Sequence, residues 1–85
     1  MCYRVVFRPR AARDFRKLPQ DIKERLQPHI DAMTSNPRPR GVEKFAGTAN
    51  GYRIRVGTYR VLYEIQDDVL VVYVVKIAHR RDVYR

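Results

Sequence analysis

The sequence predicts an α+β domain: an antiparallel sheet of about four strands, in the order β-α-α-β-β-β, with two N-terminal helices packed on one face. Residues 9–34 place apolar side chains at spacings of three and four, the period of a helix. Residues 52–56, Tyr-Arg-Ile-Arg-Val, alternate strictly, the period of a half-buried strand. Residues 69–77 are apolar on both parities, as a central strand is. At 85 residues the chain has room for one domain, spanning residues 1–85. A chain of this size buries only ~60–65% of its unfolded surface, so the core is small.

Each element has its own signal. Residues 2–7, Cys-Tyr-Arg-Val-Val-Phe, carry β-branched and aromatic side chains and read as a strand. Pro9 suits the first turn of a helix, and Ala11, Ala12, Phe15 and Leu18 give it one face over 9–18. Ile22, Leu26, Ile30 and Met33 extend a second helix over 19–34. Pro28 interrupts it at a cost of ~3 kcal/mol, through a lost hydrogen bond and a clash with the Glu24 carbonyl, so a kink is expected. Residues 36–41, Asn-Pro-Arg-Pro-Arg-Gly, form a loop. Gly57-Thr58 makes a two-residue turn between strand 52–56 and a return strand 59–65. Asp67-Asp68 makes a second turn before strand 69–77. The chain closes on Ala78-His79-Arg80-Arg81-Asp82-Val83-Tyr84-Arg85.

Eighteen Lys and Arg against nine Asp and Glu give a net charge of +9. Fourteen of the eighteen are Arg, whose planar fork matches phosphate and does not lose its proton. Such a balance fits a polyanion partner: RNA, DNA, an anionic membrane or an acidic protein. It fits equally a soluble domain that is merely rich in Arg. The single Cys2 excludes an internal disulfide framework, and two His beside one Cys argue against a structural zinc site. No run of 18 apolar residues exists to span a membrane. The N-terminus has no basic-then-apolar signal pattern, so the cytosol is the expected compartment.

The turn at Gly57-Thr58 sets a register in which Val56 pairs with Tyr59 and Arg55 faces Arg60. Tyr52, Ile54, Val56, Val61, Tyr63 and Ile65 then share one apolar face, which should receive the helices. Arg53, Arg55 and Arg60 share the other. Opposed like charges in a sheet are destabilising, by up to ~1 kcal/mol. Either an anion sits between them, or Glu64 or another acidic residue neutralises them. Arg80, Arg81 and Tyr84 follow the last strand, where a rigid scaffold commonly carries functional groups. By themselves His79-Arg80-Arg81 read as a solvated basic tail, and Tyr84 as an aromatic that pins the terminus or serves chemistry. Lys44, Arg38 and Arg40 could lengthen the basic surface. Arg13, Arg16, Lys17, Lys23 and Arg25 read as a solvated helix face.

Taken together, Phe15-Arg16-Lys17-Leu18-Pro19 at the helix junction, the hairpin Gly51 to Ile65, and the ending His79-Arg80-Arg81-Asp82-Val83-Tyr84 resemble the RelE branch of the RelE/ParE toxin superfamily. The resemblance covers essentially the whole chain. It implies the toxin of a type II toxin–antitoxin pair, a ribosome-dependent mRNA endonuclease that cuts in the A site. In that chemistry the 2′-hydroxyl attacks the adjacent phosphorus, with no metal and no cofactor. The implied partners are a cognate acidic antitoxin, the ribosome and mRNA, and no membrane. The family's site residues map onto Arg53, Arg55, Arg60, Arg80 and Tyr84, with Lys44, His79 and Arg81 as further RNA contacts.

Arg55 and Arg60 are the candidates for stabilising charge on the phosphoryl oxygens. Tyr84, among cations, would have its phenolate favoured and could take the 2′-hydroxyl proton. Arg80 could stabilise the leaving 5′-oxygen, and His79 has the intrinsic pKa to protonate it. Some members carry Lys at both positions of the first hairpin strand. This chain carries Arg53 and Arg55, which cannot act as bases. Two rival functions share these residues: a ParE-like inhibitor of DNA gyrase on the same fold, and a non-enzymatic RNA-binding module. Tyr73, which parity places on the arginine face, would serve the latter.

Overall fold

Pro9 ends one extended stretch and begins a helix, and the rest of the fold follows that alternation. The computed structural model describes residues 2–44 and 50–83. Their elements run β1 (Arg4–Phe7), α1 (Pro9–Arg16), α2 (Gln20–Ala32), β2 (Glu43–Lys44), β3 (Gly51–Val56), β4 (Tyr59–Gln66), β5 (Val71–His79) and α3 (Arg80–Val83). Arg8 is extended at ψ 153° and Pro9 occupies the first helical turn, where its missing N–H has no role. Helix α1 stops at Arg16, two residues short of the periodic pattern. Leu18 precedes Pro19, whose ring disfavours helical backbone in the residue before it. Helix α2 continues through Pro28, which is exposed. Leu26, Ile30 and Met33, at most 3% exposed, anchor that helix to the sheet on both sides of the proline.

The sheet order is β1-β5-β4-β3-β2. Strands β2 to β5 form an antiparallel meander. Two expectations are corrected here. Among the described residues the sheet has five strands, because Glu43 and Lys44 pair with Arg53 and Tyr52 as a short edge strand. It is also mixed, because β1 runs parallel to β5, with Val5 beside Val72 and Phe7 beside Val74. A two-residue strand carries no periodicity to read. Alternation shows which way a side chain points but not which strand lies alongside, or in which direction.

The second turn spans Asp67 to Leu70, so β5 begins at Val71 and not at Val69. Leu70 takes a left-handed φ of 54°, and its carbonyl accepts the Arg4 N–H at 2.9 Å. Val69 is 60% exposed. A register shift falls between Leu62 and Tyr63, where Leu62 pairs with Lys76 and Tyr63 with Val74. Just past it, the Ile77 N–H donates to Asp14 Oδ2 at 3.4 Å, which ties α1 to the irregular stretch of β5. His79 completes β5, and residues 80–83 form a short helix where a solvated tail was one reading.

The helices pack on one face, as expected. Ala11, Leu26, Ile30 and Met33 meet Ile54, Val61, Tyr63, Ile65, Val72 and Val74 in a single core. Phe7 and Phe15 close its edge with ring centroids 5.7 Å apart, edge to face. The opposite face of the sheet is the one that carries the hairpin arginines.

Candidate functional site

The hairpin adopts the register that its turn predicts. Val56 pairs with Tyr59, Arg55 with Arg60, Ile54 with Val61, Arg53 with Leu62 and Tyr52 with Tyr63. Gly57 has φ +61°, and Thr58 does not share the left-handed region, which is the pattern of a type II′ turn. Arg55 and Arg60 therefore stand directly opposite, with Cβ atoms ~5 Å apart by the geometry of such pairs. Arg55 is exposed, whereas Arg60 is only 8% exposed. Burying a guanidinium next to another cation runs against simple stability. A site that is to bind an anion gains from such preorganised charge.

Arg80 is brought to the same end of the sheet. Its backbone N–H donates to the Thr58 carbonyl at 2.6 Å, so the start of α3 is fastened to the hairpin turn. Arg81 is exposed on α3, and its N–H donates to His79 Nδ1 at 3.4 Å. His79 is paired with Tyr59, and the two rings meet edge to face at 5.3 Å. That parity is the helix side of the sheet. There His79 and Tyr59 line an open pocket of about 410 Å³ with Arg10, Asp14 and Lys17. Lys44 is paired with Tyr52 and belongs to the same parity. Arg53, Arg55 and Arg60 thus gather on one face with Arg80 at its end, while His79 and Lys44 fall on the other parity. Tyr84 lies outside the described residues.

An acidic residue beside the hairpin arginines is Glu43, which sequence reasoning did not single out. Arg53 donates to Glu43 Oε2 from Nε at 3.1 Å and from Nη2 at 2.9 Å. Arg53, and then Arg55 and Arg60 at longer range, hold the Glu43 carboxyl below the usual carboxylate range. Glu43 is therefore a poor base at neutral pH and a brace for the Arg53 fork. Glu64, the neutralising candidate named from sequence, instead approaches Arg8 at 3.7 Å. The signal the sequence offered for Glu43 was a carboxylate in a stretch that also carries Arg38, Arg40 and Lys44, which specifies no partner.

Arg38 does not lengthen the basic surface. Its Nη1 and Nη2 donate to the two oxygens of Asp67 at 3.0 and 2.7 Å, and its Nε to the Tyr52 hydroxyl at 3.2 Å. Tyr3 donates its hydroxyl to Asp67 Oδ1 at 2.6 Å. Hydrogen bonds from Arg38 first, then from Tyr3, lower the Asp67 carboxyl to about 2. This clasp joins the loop after α2, the β4–β5 turn and the N-terminal segment.

The family sequence model described as the ParE toxin of the type II toxin–antitoxin system, parDE, matches residues 5–84. Toxin RelG of Mycobacterium tuberculosis is 34% identical over 86 residues, covering all of this chain and 99% of that protein. The mRNA interferase toxin RelE of Escherichia coli K12 is 29% identical over 82 residues, or 94% of this chain and 85% of that protein. The archaeal RelE–RelB complex from Pyrococcus horikoshii contains a chain that superposes with a TM-score of 0.83 at 30% identity, covering 94% of this chain and 97% of that one. The intact RelBE toxin–antitoxin complex of E. coli gives 0.81 at 28% identity, over 91% and 95%. With fold and sequence in agreement over nearly the full length, the chain belongs to the RelE/ParE superfamily of type II toxin–antitoxin toxins, as a RelE-type member.

Proposed function

We propose that this chain cleaves mRNA in the ribosomal A site and is held in check by an acidic antitoxin. The observation that carries the reading is the opposed pair Arg55–Arg60 on the face away from the helices, with Arg80 fastened to the adjoining turn. In the proposed reaction the 2′-oxygen forms a bond to the adjacent phosphorus, and the bond from phosphorus to the 5′-oxygen breaks. The 2′-hydroxyl proton passes to a base, and a proton reaches the departing 5′-oxygen. The products are a 2′,3′-cyclic phosphate and a 5′-hydroxyl. Charge accumulates on the phosphoryl oxygens, where Arg55 and Arg60 act, and on the leaving oxygen, where Arg80 acts. Arg53, braced by Glu43, positions the strand. Tyr84 is the proposed base, since a phenolate can accept the proton and a guanidinium cannot give one up. The names of the relatives support mRNA as the substrate, and the solved RelE–RelB complexes support an antitoxin partner. The charge of +9 suits an acidic one.

Programmed ribosomes test the reading. The parent chain should cut mRNA within the A-site codon, and Arg55→Ala should lower single-turnover cleavage by ~10²–10³-fold. Arg60→Ala should act alike, with circular dichroism confirming its fold because that side chain is buried. A folded Arg55→Ala protein that cuts at the parental rate overturns the assignment. The ParE description of the family model favours a second reading, inhibition of DNA gyrase. Intact mRNA together with blocked supercoiling would select it.

A further inference from the structure

The arginine face extends beyond the hairpin. Tyr73 of β5 pairs with Glu64 of β4 and with Val6 of β1, so all three share that face. Arg8, just after β1, lays its guanidinium 4.2 Å from the centre of the Tyr73 ring and extends Nη2 to within 3.7 Å of Glu64 Oε1. The Arg8 side chain nonetheless remains 51% exposed. An exposed ion pair of that length contributes little to stability. What the arrangement does is hold a flat, weakly hydrated cation against an aromatic support with its far side toward solvent.

We propose that Arg8, supported by Tyr73 and steadied by Glu64, is a stacking platform for a base of the RNA strand that crosses this face. The inference rests on the cleavage reading and adds a substrate contact to it. Charge selects the occupant: Arg4, Arg8, Arg53, Arg55 and Arg60 share the face with Glu43 and Glu64, which leaves it strongly positive. Chemistry selects the base, because unpaired bases stack on guanidinium planes and aromatic rings irrespective of sequence. Distance selects a flanking nucleotide. With ~3.3 Å per residue along a strand and ~4.8 Å between strands, the Arg8 backbone lies roughly 14 Å from that of Arg60. A few nucleotides of extended RNA span that gap.

The test uses ribosomes programmed with mRNAs that carry one abasic nucleotide, moved in turn through the A-site codon and the positions after it. For the parent protein, kcat/KM should fall about tenfold at one position away from the cut. Arg8→Lys keeps the charge and removes the plane, so on intact mRNA it should show the same fall, with no further loss at that abasic position. Tyr73→Leu should follow it, and Tyr73→Phe, which keeps the ring, should match the parent. Thermal melting confirms that each variant is folded. A parent that cuts normally with a flat abasic scan overturns the platform alone, as does Arg8→Lys equal to the parent. A parent that cuts no mRNA overturns the cleavage reading, and the platform falls with it.

Discussion

Asp67 is an exposed residue whose carboxyl lies well below its ordinary value, at about 2 instead of 3.8, because Arg38 and Tyr3 hydrogen-bond to the ionised form. A depressed folded-state value stabilises the fold above the unfolded value and loses that contribution as pH falls toward about 2. Asp67→Asn should therefore lower Tm by a few degrees at neutral pH, and the gap to the parent should close between pH 4 and pH 2 in melts followed by circular dichroism. Tyr63 differs in kind. Burial pushes its phenol up to about 12, and its hydroxyl donates to the Pro37 carbonyl at 2.7 Å. Tyr63→Phe should cost about 1–2 kcal/mol in urea unfolding, because it strands a buried carbonyl. The parity of β4 was enough to assign the Tyr63 ring to the core. The Pro37 partner was not legible, since it lies 26 residues away across a loop.

Among the elements, the β3–β4 hairpin was the most legible and β2 the least. The Gly57-Thr58 turn joins neighbours in sequence, so alternation on either side of it determines every pair from Val56–Tyr59 to Tyr52–Tyr63. Gly57 itself holds φ +61°, and a Cβ there would come within 3.3 Å of Arg25 Nη1. Gly57→Val should destabilise the fold by about 1–2 kcal/mol, with Gly57→Asn markedly milder, in equilibrium denaturation. Cleavage by the Gly57→Val protein should fall further than its stability loss explains, because Arg80 is fastened to the same turn. The helices were legible from spacing alone, apart from ends shifted by proline at α1 and by a tightened last turn at α2, where Met33 and Thr34 bond back three residues.

For the whole molecule, the charge of +9 is spread unevenly. Arg38 is spent on Asp67, while the sheet face opposite the helices gathers Arg53, Arg55 and Arg60. If Arg53, Arg55, Arg60 and Arg80 each meet a phosphate, the log affinity for RNA should fall with a slope of roughly −3 against log salt, about fifty-fold between ~50 and ~200 mM. Titration of ribosome binding checks this, and a constant unchanged over that range would remove the backbone-contact picture. The α+β class, the two helices, the hairpin register and the shared face of its arginines were all legible in the sequence. Each depends on residues within a turn or one hairpin of each other, where chain connectivity does the positioning. The parallel seat of β1 beside β5, Glu43 on Arg53, Arg38 on Asp67 and Arg8 on Tyr73 required the tertiary structure. They join residues far apart along the chain or, for Glu43 and Arg53, depend on a two-residue strand too short to show a pattern, and periodicity tells which way a side chain faces without telling what it meets there.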